Sequence, residues 1–112
     1  MKSKRTKALD ITQKVKLEVA KRDTDKFGVL RCIICGNSYN VMPNSHFIRR
    51  SHSGLGIEQN IFTACTNFTE NKCHYRWDNY LCTDEEIERV KNHFKYHYPD
   101  WNEDILYYKK KY

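Results

Sequence analysis

The chain has 112 residues, 39% of them apolar and 30% charged, with a mean hydropathy of −0.86. No apolar run approaches the roughly 18 residues of a membrane-spanning helix, and the composition points to one small domain with a modest core. Twenty basic against fourteen acidic side chains give a net charge of +6, an excess that lies almost entirely in residues 1–31.

The opening stretch, Met1-Lys-Ser-Lys-Arg-Thr-Lys, lacks the apolar segment of a signal peptide. A cytoplasmic, reducing location is therefore expected, where cysteines in C-x-x-C spacing are metal ligands rather than disulfide partners. Residues 1–8 read as a basic arm, either solvated or in contact with a polyanion. Residues 9–112 read as one unit. Ile11, Val15, Leu17, Val19 and Ala20 predict a helix over 10–22, with Asp10 and Gln13 in capping-box spacing. Asp23 to Gly28 is turn-like, and Gly36, directly after Cys35, suits a tight knuckle that needs positive φ. Val41 to Ile48 predicts a strand interrupted by Pro43, Ser51 to Gly56 a turn, and Ile61 to Ala64 a second strand. Cys73 to Asp78 fits a short helix. Thr83 and Glu86 form a capping box for an amphipathic helix through Ile87, Val90, Phe94 and Tyr98, which Pro99 ends. A last short helix begun by Asn102 is expected within Trp101 to Tyr112. The lysine run near that end could contact phosphate or be a frayed solvated terminus.

Cys32 and Cys35 form half of a tetrahedral zinc site, and Cys65 with Cys73 can supply the other half despite seven intervening residues. Such a metal would contribute folding free energy that a small core lacks. Cys82 is left over and reads as a free core thiol. The 29 residues between Cys35 and Cys65 exceed the spacing of a simple zinc ribbon, so an insert lies between the two halves.

The string Cys32-Ile-Ile-Cys35, Ser45-His46-Phe-Ile, Gly54-Leu-Gly-Ile-Glu-Gln-Asn60, Cys65 and Cys73-His74-Tyr-Arg-Trp-Asp78-Asn79 resembles the HNH endonuclease family, in particular small bacteriophage HNH proteins. The resemblance runs from about Val15 to Tyr108. It implies an α+β fold: a small ββα-metal (HNH, His-Me finger) core over 29–82, framed by four-cysteine zinc knuckles and flanked by the N-terminal helix and by C-terminal helices over 83–112. It also implies a metal-dependent endonuclease that hydrolyses phosphodiester bonds in double-stranded DNA with low sequence specificity. The similarity to phage proteins further implies a nickase linked to genome packaging beside a terminase. His46 would be the general base and Asn60 would brace the hairpin that carries it.

Residue chemistry runs parallel to this. An imidazole is substantially neutral near pH 7 and can take a proton from water. Cys73 and His74 diverge by about 100° on a helix, so one can face a structural zinc and the other a cleft. His74 and Asp78 share a helical face and could both hold a catalytic divalent cation (Mg²⁺, Mn²⁺, Ni²⁺ or Zn²⁺). Asp78 could equally end the helix. Arg49 and Arg50 are candidates to grip phosphate bidentately, although one of them could be a solvated charge. The N-terminal basic residues are expected to flank the nucleic acid without forming the cleft. Ser45 stands where many HNH enzymes have a metal-ligating Asp or His, and the Cys65 to Cys73 loop is longer than the family's usual C-x-x-C. These two departures motivate an alternative: a zinc-stabilised DNA-binding or adaptor module with weak or no catalysis. An RNA-binding zinc knuckle is a third reading. His93 and His97, also four apart, form a decoy pair with no third ligand in view.

Overall fold

Local signals account for most of the elements in the computed structural model, which describes residues 2–109. Ser3 caps a short helix α1 (Lys4–Leu9) by accepting from the Thr6 amide, and Thr12 caps α2 (Gln13–Asp23) by accepting from the Val15 amide. These two helices replace the expected arm over 1–8 and the single helix over 10–22. A capping hydroxyl must sit one residue before the first helical residue to reach the N3 amide, a place Thr12 holds and Asp10 does not. Asp10 instead ends α1, and its carboxylate pairs with Lys2 at 2.7 Å and Arg50 at 2.6 Å. Leu9 is buried, so residues 4–9 are docked rather than free, while Leu17 falls off the apolar face of α2 and is 60% exposed.

From Thr24 to Asn40 the chain forms turns. The Asp25 carboxylate accepts from the Phe27 and Val29 amides, and Gly36 takes φ +80° as its amide closes the knuckle onto the Cys32 carbonyl. Strands β1 (Val41–His46) and β2 (Ile61–Cys65) pair antiparallel, with Val41 opposite Cys65 and His46 opposite Ile61. The register slips by one residue between Met42 and Ser45. Pro43, which lacks an amide proton, sits in that irregularity, where a missing donor costs no ladder bond. Every residue of β2 is buried. A short helix α3 (Cys73–Asp78) follows, then α4 (Asp84–His97) behind the Thr83–Glu86 capping box. The expected final helix is only a 3-10 turn over Glu103–Leu106, capped by Asn102, after which Tyr107 bridges to Gly54. Lys110, Lys111 and Tyr112, part of the anticipated terminal basic run, lie outside the described residues. The result is a small α+β structure around a two-stranded sheet, and no helix among the described residues is long and apolar enough to cross a membrane.

The core is aromatic. Phe47, Phe62, Trp77, Phe94 and Trp101 join β1's exit, β2, α3, α4 and the C-terminal segment, with Phe94 and Trp101 stacked at 5.3 Å. Both indole N–H groups are satisfied, Trp77 by the Phe47 carbonyl and Trp101 by the Gln59 carbonyl. Beside this core, Asp23 at the end of α2 is a buried electrostatic node. Its carboxylate accepts from Arg22 and His93, both at 2.7 Å, and from the Thr63 amide at 3.0 Å, which ties α2 to β2 and α4. His93 is thereby engaged as a structural partner, and among the described residues the His93/His97 pair belongs to no group of three potential metal ligands.

Burial opposes ionisation of Asp23, but the hydrogen bonds from His93 and Arg22 outweigh it and draw its pKa down from 3.8 to about 2. A carboxylate with a depressed folded-state pKa contributes stability above its unfolded value and loses that contribution as pH falls through the folded one. Urea denaturation as a function of pH is expected to show about 2 kcal/mol of stability, from this group, disappearing between about pH 4 and pH 2. Asp23→Asn should be less stable at neutral pH and show a correspondingly shallower acid limb; an unchanged limb would contradict the assignment.

Candidate metal centre and basic cleft

The knuckle before β1 carries Cys32 and Cys35, β2 ends in Cys65, and α3 begins with Cys73. Their four sulfurs lie within 4.8 Å of one another, with Cys35 and Cys65 at 3.3 Å. Tetrahedral zinc–thiolate bonds of about 2.3 Å set sulfur–sulfur separations of about 3.8 Å, so the cluster is positioned to hold one such ion and is compatible with a structural zinc. The seven-residue spacing before Cys73 is taken up by a turn in which the Thr69 hydroxyl donates to the Thr66 carbonyl and accepts from the Lys72 amide. Asn37 donates toward Cys65 at 3.7 Å and Arg76 toward Cys73 at 3.6 Å, the outer contacts that stabilise thiolates.

Ionisation of the four thiols is strongly interdependent. A hydrogen bond from Cys73 draws Cys32 down to about 5; the same contact pushes Cys73 far up, and burial raises Cys65 to about 11. One thiolate forms at the expense of its neighbours, and a divalent cation is the counter-charge that lets all four ionise. Cys82 lies outside the cluster, and burial raises its thiol to about 11, which makes it a poor nucleophile at neutral pH.

On the other side of α3, an open cleft of about 760 Å³ is lined by Arg5, Asn44, His46, Arg49, Arg50, Ser51, His74 and Asp78. It brings together five of the residues singled out in the sequence: His46, Arg49, Arg50, His74 and Asp78. His46, at the end of β1, has its Nε2 2.9 Å from the Leu9 carbonyl. A carbonyl only accepts, so Nε2 carries the proton and Nδ1 holds the free lone pair. Burial lowers the His46 pKa below 6.5, which keeps the ring neutral at pH 7.

Ser45 is fully buried, and its Oγ lies 2.6 Å from Nδ1 of His74. Nε2 of His74 lies 3.3 Å from Asp78 Oδ2, across one turn of α3. The contact is an i, i+4 His–carboxylate pair, and two ligands of one divalent ion at roughly a right angle would also stand about 3 Å apart. A hydroxyl can donate or accept. It can therefore satisfy Nδ1 whether that atom or Nε2 bears the proton, a freedom that neither a carboxylate nor a methyl would allow.

Asn60 lies behind the cleft, fully buried at the end of the hairpin loop. Its side chain accepts from the Ile48 amide at 2.7 Å and donates to the Ile48 and Leu55 carbonyls, and its own carbonyl accepts from the Phe47 amide. It fixes the loop whose base is His46.

The two loop arginines differ. Arg49 donates to the Trp77 and Asp78 carbonyls at the end of α3, and its guanidinium lies 3.5 Å from the centroid of the Tyr80 ring. Two of its five donors are used at the end of the helix. Arg50 is paired with Asp10. The expectation that the N-terminal residues stay outside the cleft is overturned: α1 contributes Arg5 to its lining, and Leu9 supplies the carbonyl that orients His46. Arg5, Asn44, Ser51 and Leu9 were not identified from sequence. Arg5 lies about forty positions from His46, and a backbone carbonyl carries no residue-type signal.

No family model, no curated protein and no solved structure matches the chain, so the chemistry of the cleft is read from its own residues. Elemental analysis is expected to find one zinc bound per chain through the four cysteines. Cys65→Ser should reduce that to a substoichiometric level and cost much of the folding stability, since zinc binding of roughly 10 kcal/mol or more rivals the whole stability of a domain this size. A Cys65→Ser protein with wild-type zinc content and melting temperature would contradict the assignment.

Proposed function

We propose that the protein is a metal-dependent endonuclease of the HNH type that hydrolyses DNA phosphodiester bonds. The observation that carries this reading is the convergence, in one basic cleft, of a neutral His46 with an unprotonated Nδ1 and the His74–Asp78 pair at 3.3 Å. His46 accepts the proton of the attacking water at Nδ1 while the Leu9 carbonyl holds its Nε2 proton in place. His74 and Asp78 are the residues that would hold a divalent cation, with Ser45 orienting the His74 ring from behind. Such a cation, when bound, supplies positive charge to the scissile phosphate and to the departing 3′ oxygen. Asn60 keeps the loop next to His46 from relaxing, and the arginines that line the cleft give it the positive charge a phosphodiester backbone calls for. Ser45, the departure from the family pattern, is a positioning residue in this scheme, and two protein groups instead of three would hold the ion.

Contacts of this kind reach backbone more than base edges, which fits low sequence specificity. A phage setting and work beside a terminase remain part of the proposal through the family resemblance alone.

The test is conversion of supercoiled plasmid to nicked or linear forms with Mg²⁺, Mn²⁺ or Ni²⁺. Cleavage is expected with at least one of these and is abolished by excess chelator. His46→Ala should lower the rate by roughly 10²-fold or more while zinc content and melting temperature stay at wild-type values. Duplex binding without cleavage under any of the three metals would overturn the enzyme and leave the non-catalytic DNA-binding module.

A further inference from the structure

The arginines of the cleft are not equally available. Arg49 gives two of its donors to the carbonyls that end α3 and packs on the Tyr80 ring, and Arg50 shares the Asp10 carboxylate with Lys2. Arg5 makes one side-chain hydrogen bond, from Nη2 to the Ser53 hydroxyl at 3.1 Å, and pairs with no carboxylate among the described residues. A guanidinium has five N–H donors, so most of those on Arg5 have no protein partner. Its side chain is exposed and lines the same cleft as His46 and the His74–Asp78 pair.

The placement of Arg5 is built in. Ser3 caps α1, Leu9 is buried beneath it, and the Gly56 amide donates to the Ala8 carbonyl at 2.9 Å. A Cβ on Gly56 would lie 2.0 Å from the Asp10 carbonyl oxygen, so the close approach of the α1 exit to the hairpin loop requires glycine there. The Ser53 bond then sets the direction of the guanidinium from the turn that follows Arg50.

We propose that Arg5 is a phosphate-binding residue of the cleft, and that α1 is the element that delivers it to the backbone of a DNA duplex. This deepens the nuclease reading and rests on it for the nature of the ligand, but it is a statement about binding. Planar, partly unsatisfied guanidinium donors on a docked helix match phosphate oxygens bidentately, where a flexible terminal lysine would offer only a point charge.

The experiment is fluorescence anisotropy of a labelled DNA duplex with the zinc-loaded full chain, without added divalent cation, over a series of salt concentrations. Arg5→Ala is expected to weaken binding roughly tenfold or more and to reduce the slope of log K against log salt by about 0.9, the loss of one phosphate contact. Arg5→Lys should keep the slope and recover only part of the affinity. Lys14→Ala, which removes an equal charge on exposed α2 away from the cleft, is the control for net charge. The proposal is overturned if Arg5→Ala matches Lys14→Ala in both affinity and slope, which would leave Arg5 as a docking contact to Ser53. It is also overturned if the wild-type chain binds single-stranded RNA in preference to the duplex, or binds no duplex. Plasmid nicking is scored separately. Cleavage by wild type with an unaffected Arg5→Ala removes this proposal and keeps the nuclease, whereas an Arg5-dependent slope without cleavage keeps this proposal and removes the nuclease.

Discussion

The meeting of four cysteines from three separate segments is the constraint on which the rest of the structure depends. Cys32 and Cys35 come from the turns before β1, Cys65 from the end of β2 and Cys73 from the start of α3. Their convergence fixes where α3 starts relative to the hairpin, and Trp77, packed against Phe47 and Phe62, fixes its roll. Since Cys73 and His74 are adjacent on a helix, their side chains diverge by about 100°. Securing the first therefore aims the second at the cleft. The geometry of the cleft is tied in this way to the four-cysteine cluster, although the two lie on different faces of α3.

The remaining ties compensate for a small core. Five aromatic side chains pack together at the centre of the core, and the Asp23 carboxylate, satisfied by Arg22, His93 and the Thr63 amide, joins three elements through one buried group. Such a node is stabilising only because each of its lone pairs finds a donor; an unmatched carboxylate at that depth would be costly. Asn60 plays the same part for the hairpin loop with neutral hydrogen bonds, closing it onto Ile48 and Leu55.

Charge in the cleft shows why net charge and available charge differ. The +6 excess is concentrated in the first 31 residues, yet several of the cations around the cleft are matched internally. Asp10 holds both Lys2 and Arg50, and Arg49 is used by the end of α3. The charge left for a polyanion is shaped by this pairing, and Arg5 is a cleft arginine with no carboxylate partner among the described residues. A field of positive sign can steer a polyanion from a distance, but contact is made by donors that have no better partner.

Local chemistry made much of this molecule legible before folding. The apolar period of α4 and the Thr83–Glu86 box, the strand that contains Pro43 and its partner, and the knuckle with Gly36 follow from residue types at short spacings, and the grouping of Cys32, Cys35, Cys65 and Cys73 follows from the shared chemistry of the thiols. The adjacency of His74 and Asp78 on one face of α3 follows from helical geometry alone. Other features were decided by contacts that no spacing encodes. Thr12 rather than Asp10 caps α2 because α2 begins at Gln13, while Asp10 ends α1 and serves as a counter-ion to Lys2 and Arg50. The basic arm became a docked helix, and the tautomer of His46 is set by the carbonyl of Leu9, thirty-seven positions away. Ser45 gained a partner in His74 across the sheet edge, and Arg49 lost its freedom to the end of α3. The sequence by itself determined which residues could form helices, strands and a thiolate cluster, since those depend on neighbours along the chain. Only the tertiary structure decided which polar groups satisfy one another, and so which remain free for a ligand, because a backbone carbonyl or an unpaired guanidinium is defined by what folding brings beside it.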